Sequence, residues 1–274
     1  MRHDTPTLAG PTSITPPARF AGASALQFAL LIGVGALVLS SIYQVAPSPE
    51  RLVTGAPRMA NLLGRMMPPA TDSTFLLRIV GQLIETFQIA IAGTFIGIAL
   101  SLPIAWLSAR GVTPVPAFSF LFKGLVSFFR TVPDLVWALV FVATVGLGAV
   151  AGTMTIIADT IGFCGRFFCE SMEDADKKPQ EALSATGANR LAILFSAIIP
   201  DTLPSLINAG LFALEKAVRA SVVLGLVGAG GIGQELQVAF DLFQYQKAST
   251  IIIVIFVVVL AMEVLTNALR KRVG

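Results

Sequence analysis

Histidine is nearly absent from this chain. The one copy, His3, sits in the N-terminal tail. A Ser-His-Asp triad, a Cys–His pair and a His-ligated metal site are therefore excluded from the body of the protein. Cysteine is scarce too. Cys164 and Cys169 lie five apart in one apolar segment, too few for a disulfide framework and not on one helix face, so they read as small buried thiols. Charge is the third shortage: Asp, Glu, Lys and Arg make up 13% of 274 residues, against roughly 25% in soluble domains. The G-x-x-x-x-G-K-[ST] pattern is missing, so the chain has no phosphate-cradling loop of its own. What fills the space is apolar: 55% hydrophobic residues and a mean hydropathy of +0.80. That surplus exceeds what one soluble core can bury, and the runs are continuous. A β-barrel would show alternating segments of ~10 residues. The chain reads as an all-α, polytopic membrane protein.

Residues 1–24, rich in Pro, Thr, Ala and Gly, read as a flexible tail. A first span follows at 26–45, too long for a signal peptide and without an A-x-A cleavage site. Residues 46–74 are polar and proline-bounded. Within them Leu52, Met59, Leu62, Leu63, Met66 and Met67 recur at helical spacing, and Arg51, Arg58 and Arg65 every seven residues. This is either an interfacial amphipathic helix, opened by Pro57, or a loop with scattered arginines. Further spans are expected at about 79–108, 117–147 (one long helix kinked at Pro133), 150–171, 202–227 and 248–269. Six spans put both termini on one side. Placing them in the cytoplasm gives the inner segments nine Lys and Arg against five outside, and the positive-inside rule favours that orientation. The working division is residues 1–24 as tail, 25–78 as first span plus external amphipathic segment, and 79–272 as the transmembrane domain.

The segment between the fourth and fifth spans does not end as a connector. After the charged run ESMEDADKKPQ, residues 181–200 (EALSATGANRLAILFSAIIP) restart a helical pattern. Glu181 stands near its beginning, where a carboxylate suits the helix dipole. Gly187 interrupts it, and a mid-helix glycine costs roughly 1 kcal/mol unless it makes a turn. Pro200 opens the next span. The pattern predicts a short helix across the cytoplasmic face, a sharp turn and a return to the membrane over 176–200, a knob offered to a soluble partner.

This segment resembles the EAA loop of binding-protein-dependent ABC importer permeases, whose pattern is E-A-A, three residues, G, nine residues, I-x-L-P. Glu181, Ala182, Gly187 and Pro200 match in type and spacing; Leu183, Ala197 and Ile199 depart towards other apolar residues. FFRTVPDLVWALVF (128–141) and GLVGAGGIGQEL (225–236) are similar to stretches of the phosphonate permease group and, less closely, of the methionine group. The resemblance covers about residues 80–272. It implies a type I importer permease fold in the cell membrane, with no cofactor of its own. ATP and Mg would be bound by a cytoplasmic ATPase dimer docked on the EAA helix. A solute-binding protein would sit outside, and a second permease chain, read as a homodimer partner, beside it in the bilayer. The implied cargo is phosphonate or a related phosphorus oxyanion (phosphate, phosphite), with methionine or another small solute as the alternative. An ion-driven secondary transporter is the different-class alternative; it would need no EAA loop and often shows inverted repeats. Nucleic acid is not an expected partner.

Two features are left. Gly228, Gly230 and Gly233 spell G-x-G-x-x-G. A dinucleotide site needs a βαβ unit and an acidic residue about 20 positions on, whereas a spanning helix precedes this loop and another follows. Gly228, Gly230, Gly231 and Gly233 are therefore read as non-helical backbone at the outer membrane face, lining the mouth of a pathway or making only a tight turn. Ionisable residues within spans are costly. Arg130, Pro133, Asp134, Lys216 and Arg219 are the candidate pathway or gate residues. Arg130–Asp134 and Glu215–Arg219 share i,i+4 spacing and so are also candidates for simple pairing. Lys216 and Arg219 are the preferred anion contacts.

Overall fold

The computed structural model describes residues 25–46 and 48–273, and the expected tail over 1–24 lies outside them. Every regular element among these residues is helical. The chain divides into two compact units at Ala60/Asn61.

The first unit holds α1 (Ala25–Val45) and most of α2 (Pro49–Met66). α1 contains a 19-residue apolar stretch, Gln27–Val45, long enough to cross a bilayer and exposed along its whole described length. α2 is a regular amphipathic helix, so the helical reading of this segment holds. Its start does not: Pro57 lies inside the helix, which opens at Pro49. A proline fits the first turn, where its missing N–H would have had no partner, and Glu50 there suits the helix dipole.

The second unit contains α3 (Ser73–Ser108), α4 (Ser119–Thr131), α5 (Asp134–Val145), α6 (Ala149–Asp174), α7 (Lys177–Ala185), α8 (Arg190–Ile193), α9 (Ile199–Gly225), α10 (Ile232–Asp241) and α11 (Tyr245–Val273). Its centre is the α3–α6 pair. Gly93, Gly97, Ser101 and Ala105 recur every four residues along α3 and are all buried. A Cβ on Gly93 would come within 2.6 Å of Ile156, and one on Gly97 within 2.5 Å of Thr160. Small residues let the two backbones approach closely, which is what drives helix pairing where water gives no hydrophobic push. α6 answers with Ile156, Thr160, Cys164 and Phe168, again every four, and all are buried. Both cysteines are free and buried, as expected.

Among the described residues, four helices are long and apolar enough to cross a membrane, and five if the bent α4–α5 pair is one span. α6, the expected fourth span, is not among them. It is long enough at 26 residues, but it carries Asp159, Arg166, Glu170 and Glu173, and half of its residues are buried against other helices. The helix expected to run kinked through 117–147 is instead broken in two. α4 and α5 meet at 89°. Val132 is extended, as a residue before proline must be, and Pro133 is extended too. Two consecutive extended residues turn the chain rather than kinking a continuing helix. The corner is braced by Trp137, stacked on Phe129 at 5.4 Å and met edge-on by Phe128 at 5.7 Å.

α8 and α9 are one continuous helical path, Arg190–Gly225, joined by a π-helical segment at Leu194–Ile198. The wide turn has a local cause. Pro200 cannot donate and its ring crowds the preceding turn; the Ile199 N–H instead reaches back five residues to the Leu194 carbonyl. The helical path thus begins at Arg190, ten residues before Pro200, the expected opening of the span.

Candidate functional site

The 176–200 segment forms the expected helix, turn and return. Asp176 caps α7, accepting from the Lys178 N–H at 3.0 Å. This corrects the role expected of Glu181, which lies one turn further on and is exposed. α7 ends in a Schellman motif: the Gly187 N–H donates to Ser184 O (3.0 Å) and the Ala188 N–H to Leu183 O (3.1 Å). That motif needs a left-handed residue after the helix, and Gly187 has φ +82°. Two residues on, Asn189 caps α8, its side-chain oxygen accepting from the Ala192 N–H at 2.8 Å. One helix therefore stops and the next starts within four residues. Glu181, Ala182 and Gly187 all face solvent, and so does Pro200.

The knob is tied to the bundle at both ends. The Asp176 N–H donates to Asp201 at 2.9 Å, and Arg190 donates to the Gly111 carbonyl at 3.3 Å. Behind it lies a cleft of about 740 Å³ with Arg110, Glu173, Glu181 and Asn189 in its walls. Glu173 accepts from the Arg110 N–H at 2.6 Å and from Lys123 at 2.7 Å, so one carboxylate holds the ends of α3, α4 and α6 together.

At the far end of the α8–α9 path sits the glycine loop. Gly228, Gly230 and Gly231 have φ of +89°, +86° and +74°, the turn backbone expected of them. Gly233 differs: it is inside α10, and a Cβ there would overlap the Val222 carbonyl of α9. Its glycine serves close helix packing, not a turn. Residues Ala229–Gly233 are buried. The Gly228 carbonyl accepts from the Gly148 N–H at 2.8 Å, and the Ile232 N–H donates to the Thr86 hydroxyl oxygen at 2.9 Å. A Cβ on Gly230 would fall 2.8 Å from a Glu85 carboxylate oxygen. The irregular backbone is thus buried in protein, as membrane depth requires, and its flanks are helices, not a βαβ unit.

The structure separates the charged candidates. Lys216 pairs with Asp159 at 2.7 Å and lies over the Phe163 ring. Arg219 pairs with Glu215 at 3.0 Å, and Glu215 also accepts from Arg270 at 2.7 Å, which ties α11 to α9. The i,i+4 pairing of Glu215 with Arg219 holds. That of Arg130 with Asp134 does not, because the right-angle corner lies between them. Asp134 accepts instead from the adjacent Leu135 N–H at 2.9 Å. Arg130 is exposed and has no ion-pair partner among the described residues. Its backbone rests in a notch of α6, where a Cβ on Gly162 would come within 2.7 Å of the Arg130 nitrogen.

Residues 101–274 match the family model described as the inner membrane component of binding-protein-dependent transport systems. The chain belongs to this family. It is 35% identical to the phosphite transport system permease protein PtxC of Stutzerimonas stutzeri, over 90% of this chain and 88% of that protein. It is 37% identical to the phosphate-import permease protein PhnE of Mycolicibacterium smegmatis, over 81% of this chain but only 42% of that longer protein. In fold it is similar to the permease chain in inward-facing structures of the MetNI methionine ABC transporter, with a TM-score of 0.63 over 74% of this chain and 100% of the other, at 21% identity. It is thus an ABC importer permease of the inner membrane.

Within this permease, several residues that organise the candidate sites were not singled out by the sequence reading: Asp176 and Asn189 as caps, Thr86 under the glycine loop, and Glu173 and Arg270 as ties. The caps were findable, since Asp and Asn just before a helical run signal an N-terminus. The ties join positions 50 or more apart in sequence and carry no local signal. Outside the helices, Asp72 stands at the N-cap position of α3 without a side-chain capping bond. The hydrogen bond from the Thr74 hydroxyl, at 2.6 Å, holds its carboxyl below the usual 3.8.

Proposed function

We propose that this permease is the membrane subunit of an ATP-driven importer of a phosphorus oxyanion: phosphite, phosphonate or phosphate. A separate ATPase dimer holds ATP and Mg and receives the α7 knob, a solute-binding protein delivers the cargo from outside, and a second copy of this chain completes the pathway. The termini are cytoplasmic and residues 46–74 external in this reading. The observation that carries it is the exposed α7–Gly187–α8 knob, built directly onto the helical path of α9. The names of relatives at 35–37% identity over most of the chain support the cargo. The methionine reading rests on matches of 24–26% identity.

The geometry suggests how force passes. From Arg190 to Gly225 the path is 36 residues, about 54 Å at 1.5 Å per residue. Displacement of the knob by a closing ATPase dimer is carried along this rod to the glycine loop, and through the Lys216–Asp159 pair to α6. Arg130 on α4, without an ion-pair partner, is the cation free to attract an oxyanion, whose transfer needs compensating charge; Lys216 and Arg219 would have to exchange Asp159 and Glu215 for it. The test is uptake of labelled phosphate by cells lacking their other phosphate transporters, with and without this chain, and with methylphosphonate, phosphite and methionine as competitors. Chain-dependent uptake blocked by phosphorus compounds is expected. Chain-dependent methionine uptake that phosphorus compounds leave untouched would overturn the cargo assignment.

A further inference from the structure

At the start of α3, the end away from the α7 knob, lies a pocket of about 770 Å³. α3 has 36 residues, so the two ends are about 54 Å apart. Arg65, Tyr245, Gln246 and Lys247 line the pocket, with Met67 and Phe243 at its walls. Lys216, Arg219, Arg270 and Lys123 are each paired with a carboxylate. Among the described residues neither Arg65 nor Lys247 has an ion-pair partner, and the two line one pocket. Lys247 is steadied by the Phe75 ring, 5.5 Å below its ammonium. Asp72, whose charge interacts with Lys247, turns its carboxylate to the Thr74 hydroxyl. Two cations without a direct ion pair, beside a phenol hydroxyl and an amide, form a donor set for a tetrahedral oxyanion.

The rim narrows the ligand class. Phe243 follows α10 in the left-handed region, φ +55°, and its ring is 73% exposed. It fills the position where a Schellman motif normally has glycine: its N–H donates to Phe240 O and that of Gln244 to Ala239 O. An aromatic side chain held there at conformational cost, edge-on to the Tyr245 ring at 6.2 Å, places two aromatic rings at the rim. Met67 beside it is 64% exposed. We propose that this pocket binds a phosphate group, on the opposite membrane face from the knob and independently of the translocation pathway. Such a group comes either from an anionic phospholipid headgroup, whose glycerol and acyl parts would rest on Phe243 and Met67, or from a free phosphorus oxyanion.

The experiment uses the assembled transporter in nanodiscs. One arm measures retention of short-chain phosphatidylglycerol against a phosphatidylcholine background by native mass spectrometry; the other measures binding of methylphosphonate by calorimetry. The Arg65→Gln/Lys247→Gln variant should weaken binding by about tenfold or more, the loss expected for a charge-assisted hydrogen bond. The charge-preserving Arg65→Lys/Lys247→Arg variant should retain it. Neither cation is ion-paired, so the transporter should assemble in both, and the exposed single change Arg65→Gln gives the same reading should the pair not. Phosphatidylglycerol retention alone identifies the headgroup as the source; methylphosphonate binding lost in the Gln variant identifies the free anion. Binding of neither probe, or binding undiminished by the Gln variant, overturns the proposal, whatever the uptake assays show.

Discussion

Replacing Gly187 with valine tests whether the α7 knob does the coupling. A Cβ at this position meets nothing within 4 Å, so the cost is torsional and not steric. Holding an L-residue at φ +82° costs about 1–2 kcal/mol, and a β-branched side chain lies at the upper end. A penalty of about 2 kcal/mol shifts the equilibrium about thirtyfold against the formed turn, and apparent affinity for a partner that needs the turn falls by up to that factor. Asparagine, which visits this region more readily, should recover most of the loss, with alanine between. The Gly81→Ala control puts a methyl at a helical glycine that also meets nothing within 4 Å and should be silent. The assays are ATPase co-purification and uptake at matched membrane abundance. Valine should sharply reduce both while the chain stays in the membrane. Normal co-purification and uptake with valine would refute the coupling assignment.

Two more outcomes test the interior. Lys216→Gln alone strands the Asp159 carboxylate, whose side chain is only 18% exposed. Adding Asp159→Asn should restore thermal stability of the solubilised complex, with a non-additivity of about 1 kcal/mol. Uptake that stays low in the double variant would make the lysine an anion contact; full recovery of both makes the pair structural. Thr86→Val removes the acceptor of the buried Ile232 N–H and should destabilise by about 1–3 kcal/mol, with Thr86→Ser near wild type. Unchanged thermal stability in the valine variant would mean that the glycine loop is held by packing alone.

Some of this was written locally. The spans α1, α3 and α11 follow from apolar length. The knob follows from T-G-A-N, where one helix needs a left-handed stop and the next needs a cap. Glu215–Arg219 was legible because four residues bring side chains together on any α-helix. The same spacing misled at Arg130–Asp134, because Pro133 announces a break but not its angle. Two extended residues set that angle at 89°, and the aromatic stack around Trp137 holds it. The glycine signature shows the same split. A turn was readable at Gly228, Gly230 and Gly231, while Gly233 owes its identity to a carbonyl on α9 that only the packed fold brings near.

The sequence by itself determined that this chain is a helical membrane protein with an EAA-type turn, since hydropathy, capping and motif spacing act within a few residues along one chain. Only the tertiary structure decided which charges are compensated. Lys216 with Asp159, Arg270 with Glu215, and Lys123 with Glu173 are each joined across 50 or more positions. Arg65 and Lys247 are left without a carboxylate. Charge compensation depends on distances of a few ångströms between helices, and no spacing along the chain encodes those.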